Sequence, residues 1–76
     1  MKSLYSVYDK VAKEYAAPFM QNNDDSAVRA VLSWLRSDPK IQSEDYSLSC
    51  VGHFYVNSGT IVPDLKEVPF SLGGEE

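Results

Sequence analysis

Cysteine and histidine are almost missing from this 76-residue chain, which has one of each, Cys50 and His53. One of each cannot make an intramolecular disulfide or a structural zinc set, so neither staple is available to a domain this small. Nothing in the cysteine usage points to an oxidising compartment. Long apolar runs are also lacking. None approaches the roughly 18 residues of a membrane span, and the initial Met1 and Lys2 are not followed by the apolar core of a signal peptide. The expected protein is soluble, cytoplasmic and without a membrane partner. No Gly-rich phosphate loop follows a strand-like segment, and neither H-E-x-x-H nor D-x-D-x-D-G occurs. Cys50 and His53 lie on one extended-looking segment at a spacing that sends them to opposite faces, so they cannot act as nucleophile and base. Cys50 reads as a small core hydrophobe and His53 as an exposed surface residue. The scattered carboxylates read as a solvated surface. The expectation is a non-enzymatic protein with no cofactor, no metal and no small-molecule substrate.

Basic residues are scarce too. Seven Lys and Arg face eleven Asp and Glu, a net charge of −4, which opposes indiscriminate affinity for phosphates. The distribution is uneven. Residues 1–40 hold six basic and five acidic groups, whereas residues 41–76 hold Lys66 against six acids. Any DNA-facing surface is therefore expected in the first half, while the acidic second half faces away from DNA or meets a basic protein partner. At this length folding buries only about 60% of the surface the unfolded chain exposes, so a dimer that buries a further surface is expected.

What is present is periodicity. Residues 3–8 alternate as a first strand, with Tyr5 and Val7 on one face and Leu4, Ser6 and Tyr8 on the other. Residues 14–20 alternate again, setting Tyr15, Ala17 and Phe19 together, and Pro18 places this second strand at a sheet edge or a bulge. A short helix over residues 11–17 is the rival reading. A helix then follows. Asn23 or Asp24 caps it, Asp24 and Asp25 complement its dipole, and Val28, Val31, Leu32 and Leu35 form an apolar stripe flanked by Ala27 and Trp34. Pro39 ends it by about Ser37. A polar loop over 38–45 leads to a long alternation over 46–56, with Tyr46, Leu48, Cys50, Gly52 and Phe54 on one face. Residues 57–59 supply a turn, and a hairpin partner over 60–62 ends at Pro63. Val68, Phe70 and Leu72 form a tail that docks on the sheet or on a second subunit. The expected fold is α+β, a small antiparallel sheet with one packed helix in the order β-β-α-β-β. Residues 1–72 form one domain, residues 73–76 a disordered tail, and two copies join at sheet edges.

Two stretches carry a resemblance. Residues 8–29, YDKVAKEYAAPFMQNNDDSAVR, and residues 45–54, DYSLSCVGHF, contain the ordered pattern Y-D-x-x-A-x-x-Y-x-x-P-F, then N-D and A-x-R, then D-Y-x-L-x-C-x-G-x-F with Gly59 beyond. This resembles the small non-structural protein of the gokushovirus-type microviruses, single-stranded DNA phages. His53 departs from the pattern, which favours an acid there. The resemblance implies a counterpart of the microvirus protein that switches replication toward packaging genomes, acting in the host cytoplasm. Its implied partners are viral DNA, single-stranded or replicative form, or the replication complex. On the residues themselves, bases stack on exposed aromatic rings and lysines hold phosphates. Tyr5, Tyr15 and Tyr46 share faces with apolar residues and read as core, whereas Tyr8 and Tyr55 face solvent or a partner. The candidate nucleic-acid-binding residues are accordingly Lys10, Lys13, Arg29, Arg36 and Tyr8. The alternative function is an acidic protein-interaction module that binds a host or phage protein without touching DNA. A purely scaffolding subunit is the third reading.

Overall fold

The structure, a computed structural model, describes residues 1–71. The expected 73–76 tail and Leu72 lie outside the described residues. Five strands and one long helix form two layers: β1 (Lys2–Asp9), β2 (Glu14–Tyr15), β3 (Phe19–Gln21), α1 (Asp24–Ser37), β4 (Tyr46–Tyr55) and β5 (Thr60–Val68), with a short 3-10 turn over Ser43–Asp45. Every pairing is antiparallel. β1 pairs with β4 on one side and with both β2 and β3 on the other, and β4 pairs with β5. β3 and β4 therefore flank β1 and run parallel to each other, joined by the helix.

The expected α+β class stands, but the second strand is divided. β2 and β3 lie along the same edge of β1 but differ in register by one residue, because Tyr8 meets Tyr15 whereas Tyr5 meets Phe19. Pro18 sits in the break, where a residue with no N–H costs the ladder nothing. The extra residue inverts the alternation. Tyr15 and Phe19, expected on one face, lie on opposite faces, since paired residues share a face and Tyr8 and Tyr5 do not. The Ala16 carbonyl in the break accepts the Ser6 hydroxyl at 2.7 Å.

β4 behaves in the same way. Its register against β1 shifts between Leu4 and Tyr5, so Cys50 pairs with Tyr5 but Gly52 with Leu4. Gly52 and Phe54, expected beside Leu48 and Cys50, belong instead with Leu4 and Lys2 on the outer face. β5 does not end at Pro63. It continues to Val68, which is buried opposite Leu48. An edge strand needs ladder donors on one side alone, so proline is tolerated within it.

The core is small: Tyr5, Leu48, Cys50 and Val68 from the sheet meet Ala27, Val31 and Leu35 from the helix. The stripe expected on Val28 and Leu32 is rotated, because Ala27 is fully buried while those two are half-buried. A methyl group at Ala27 lets the helix approach the sheet closely. Asn23 is the cap, accepting from the Ser26 amide at 2.8 Å while the Ser26 hydroxyl reaches back to the Asn23 amide. The helix stops at Ser37 with Asp38 extended, as Pro39 requires. Trp34, 40% exposed, packs edge-on against Tyr46 with ring centroids 5.1 Å apart.

Tyr5 ties the two layers together. Its ring is 1% exposed and its hydroxyl donates to Asp24 Oδ1 at 2.6 Å. Burial, reinforced by the Asp24 carboxylate, pushes the phenol up to about 12. A phenol whose folded value exceeds its unfolded one supports folding fully below about pH 10, and that support is lost as pH rises toward 12. Tyr5→Phe should cost about 1 kcal/mol near neutrality, the net worth of one hydrogen bond. Urea titrations repeated between about pH 10 and 12 should find the variant losing less stability than the parent. Equal losses would mean that Tyr5 does not stay protonated in the fold.

Candidate nucleic-acid interface

Among the described residues, one face of the sheet has no covering layer. The helix lies against Tyr5, Val7, Leu48 and Val68, so by alternation Lys2, Leu4, Ser6 and Tyr8 of β1 point the other way. Their ladder partners share that outer face: Met20 and Tyr15 on one side, Ser47, Ser49, Gly52 and Phe54 on the other.

At one end of this face Tyr8 and Tyr15 form a tilted pair, ring centroids 4.7 Å apart and planes at 52°. Tyr15 is 48% exposed, which corrects its expected place in the core. The one-residue shift beside Pro18 is what turns it outward. Proline inside an alternating strand was the available signal, since a bulge reverses every side chain beyond it.

The hairpin loop beyond the tyrosines carries Lys10 and Lys13, and its shape is fixed locally. The Asp9 carboxylate accepts from the amides of Val11 and Ala12 at 2.9 and 3.0 Å, and the Lys13 amide donates to the Asp9 carbonyl at 2.7 Å. Asp-initiated turns of this kind satisfy backbone donors that no ladder reaches. Lys13 adopts φ 61°, the left-handed region in which the loop closes. The Lys10 amide donates to the Asp45 carbonyl at 2.8 Å and its ammonium to the Glu44 carbonyl at 3.2 Å, anchoring the loop to the 3-10 turn. The Tyr8–Tyr15 pair thus stands at the end of the hairpin whose loop carries Lys10 and Lys13, with the Lys10 ammonium turned toward Glu44 on the β4 side.

Arg29 and Arg36 are not part of this cluster. Both are exposed and line a hollow on the solvent side of the helix with Val28, Leu32 and Ser33. The helix and the sheet stand between them and the Tyr8–Tyr15 pair, so the expected five-residue set divides in two. Lys2, not among the expected residues, stands on the outer face opposite Phe54 and donates to Asn22 Oδ1 at 2.8 Å.

On the inner side, away from the helix, Ser3, His53 and Asp64 form a chain. Ser3 Oγ lies 3.3 Å from His53 Nδ1, and His53 Nε2 lies 2.9 Å from Asp64 Oδ2. In the tautomer that donates Nε2–H to Asp64, Nδ1 is left to accept from the Ser3 hydroxyl. His53 is half-buried rather than the exposed residue expected, because the shifted register of β4 turns it to the face of Ser3. The chain links β1, β4 and β5 at the register shift.

A family model described as Phage ORF5 protein matches residues 2–71. The match covers every strand and the helix. No curated protein and no solved structure matches the chain.

Proposed function

This chain belongs to the Phage ORF5 protein family, and from that premise we propose that it binds single-stranded DNA through the Tyr8–Tyr15 end of its uncovered sheet face. It acts as a non-enzymatic accessory protein of a gokushovirus-type phage, in viral DNA replication and the switch to genome packaging, in the host cytoplasm. The observation that carries the reading is the tyrosine pair, Tyr15 exposed and Tyr8 half-buried, at the end of a hairpin whose loop holds Lys10 and Lys13. Bases stack on such rings whatever their sequence, and nearby ammonium groups neutralise the phosphates between them. Single strands fit better than duplex, whose bases are already stacked. The resemblance of residues 8–29 and 45–54 to the microvirus non-structural protein supports the role. The non-enzymatic reading is supported by the burial of Ser3, which is 9% exposed and so sets the Ser3–His53–Asp64 chain away from a substrate.

The salt dependence of binding tests which cations act. Titrating a labelled single-stranded oligonucleotide should give a slope of log affinity against log salt of about −1.4 if Lys10 and Lys13 alone engage phosphates, and about −2.8 if Arg29 and Arg36 join them. Tyr15→Ala should weaken binding roughly 5- to 150-fold, the range of one lost base stack. Absence of binding to long single strands at low salt would overturn the proposal, and tighter binding to duplex would remove its stacking component.

A further inference from the structure

We infer that the uncovered sheet face, outside its tyrosine end, is a self-association surface that takes a second copy of this chain, face against face. Edge-to-edge pairing, the arrangement expected from chain length, meets obstacles at both edges. The β2–β3 edge breaks at residues 16–18 and contains Pro18. The β5 edge carries Pro63, a register shift, and the charged Asp64 and Lys66. Interruptions of this sort are what keep sheet edges from adding another strand.

The face itself has the opposite character. An antiparallel sheet open to water on one side ordinarily alternates to polar residues there. Here Leu4, Met20, Phe54, Ile61 and Leu65 occupy that side, and Leu65 is 67% exposed. Between them Ser6, Ser49 and Gly52 leave a low floor over which a second surface can approach.

Charge selects the occupant. Among the described residues the charged side chains at ladder positions of this face are Lys2 and Glu67, one of each sign. A chain of net charge −4 thus has a neutral face, and a twofold partner presents the same neutral surface without repulsion. A strongly basic or acidic partner would find nothing to pair with there.

Size sets the strength of the contact. Leaving out the tyrosine end, four strand positions by about five residues span roughly 19 by 17 Å, about 320 Å² in projection, which is below the ~800 Å² per partner of standard interfaces and fits a dimer that dissociates on dilution. The Cα radius of gyration is 12.9 Å with extents of 40 × 28 × 18 Å, against about 11 Å for a compact domain of this length. The molecule is a slab one helix and one sheet thick, and a second slab on the open face would complete a four-layer stack with both sheets buried.

Sedimentation of the full chain across the micromolar range tests this, with a Met20→Glu/Leu65→Glu double variant alongside. The parent should sediment as a dimer. The double variant should be monomeric with unchanged circular dichroism, its dissociation constant raised at least roughly 100-fold by charges that meet their own copies. Should the acidic variant lose its fold, Ile61→Ser/Leu65→Ser introduces no charge and should move the equilibrium the same way. A parent monomeric throughout overturns the inference. So does a folded variant that dimerises as tightly as the parent, which would return the contact to an edge or the helix. These variants leave Tyr8, Lys10, Lys13 and Tyr15 untouched, so DNA binding by the monomeric variant and loss of the dimer are read separately.

Discussion

Leu48→Ala should destabilise the protein by about 2–5 kcal/mol, the range for emptying a fully buried leucine site. Leu48 is 0% exposed in the middle of β4, with Val7 of β1 opposite it on one side and Val68 of β5 on the other. Both neighbours are fixed by ladder hydrogen bonds and so cannot close the cavity. Among the described residues seven buried apolar side chains make up the core, and a domain of this length has a total stability of roughly 4–11 kcal/mol. The substitution therefore removes from about a fifth to nearly all of it. Trp34 fluorescence and far-ultraviolet circular dichroism should report the same lowered urea midpoint. Val11→Ala, at a loop site 74% exposed, should shift the midpoint by no more than about 0.5 kcal/mol. If Leu48→Ala melts with the parent, the helix does not cover β4 as described.

Gly52→Ala should rank next, at about 1–3 kcal/mol, although it adds a single methyl group. A Cβ at Gly52 would lie 2.8 Å from the Val62 carbonyl oxygen of β5. That atom is backbone and has no rotamer by which to escape, so β5 must move away and loosen the ladder there. Gly59 is a different case. Its φ is +74° and, among the described residues, no atom lies within 4 Å of an added Cβ, so Gly59→Ala should cost about 1–2 kcal/mol through left-handed backbone strain. Hydrogen exchange separates the two. Gly52→Ala should speed exchange along residues 60–66, whereas Gly59→Ala should act at the turn. Unchanged protection in β5 for Gly52→Ala would rule out the close approach.

The helix was readable locally because its determinants are local: the Asn23 cap, the acidic first turn, a 3.6-residue apolar period and the stop before Pro39. The sheet was readable in part. Alternation located β1 and β4, but it carries a parity that one inserted residue reverses. Simple alternation puts Tyr15, Phe54 and His53 on the wrong faces for this reason, each lying beyond a register shift. Proline weakens a paired strand, so the sequence by itself ends the last strand at Pro63. Only the sheet order reveals that β5 is an edge strand, where proline is admissible.

The candidate site divides along the same line. Tyr8, Lys10 and Lys13 are neighbours in sequence, so their proximity follows from a short hairpin. Arg29 and Arg36 belong to a helix whose side of the sheet is a tertiary property, and the fold sets them across the molecule from the tyrosines. The amino-acid sequence by itself determined the class of domain, the helix and its ends, the lack of cysteine or histidine for a staple, and the uneven charge of the two halves. These depend on composition and on contacts within a few residues. Tertiary structure alone decided which sheet face is covered, which tyrosine faces out, where β5 ends and which cations share a surface, because register and layer order are set by contacts between residues far apart in the chain.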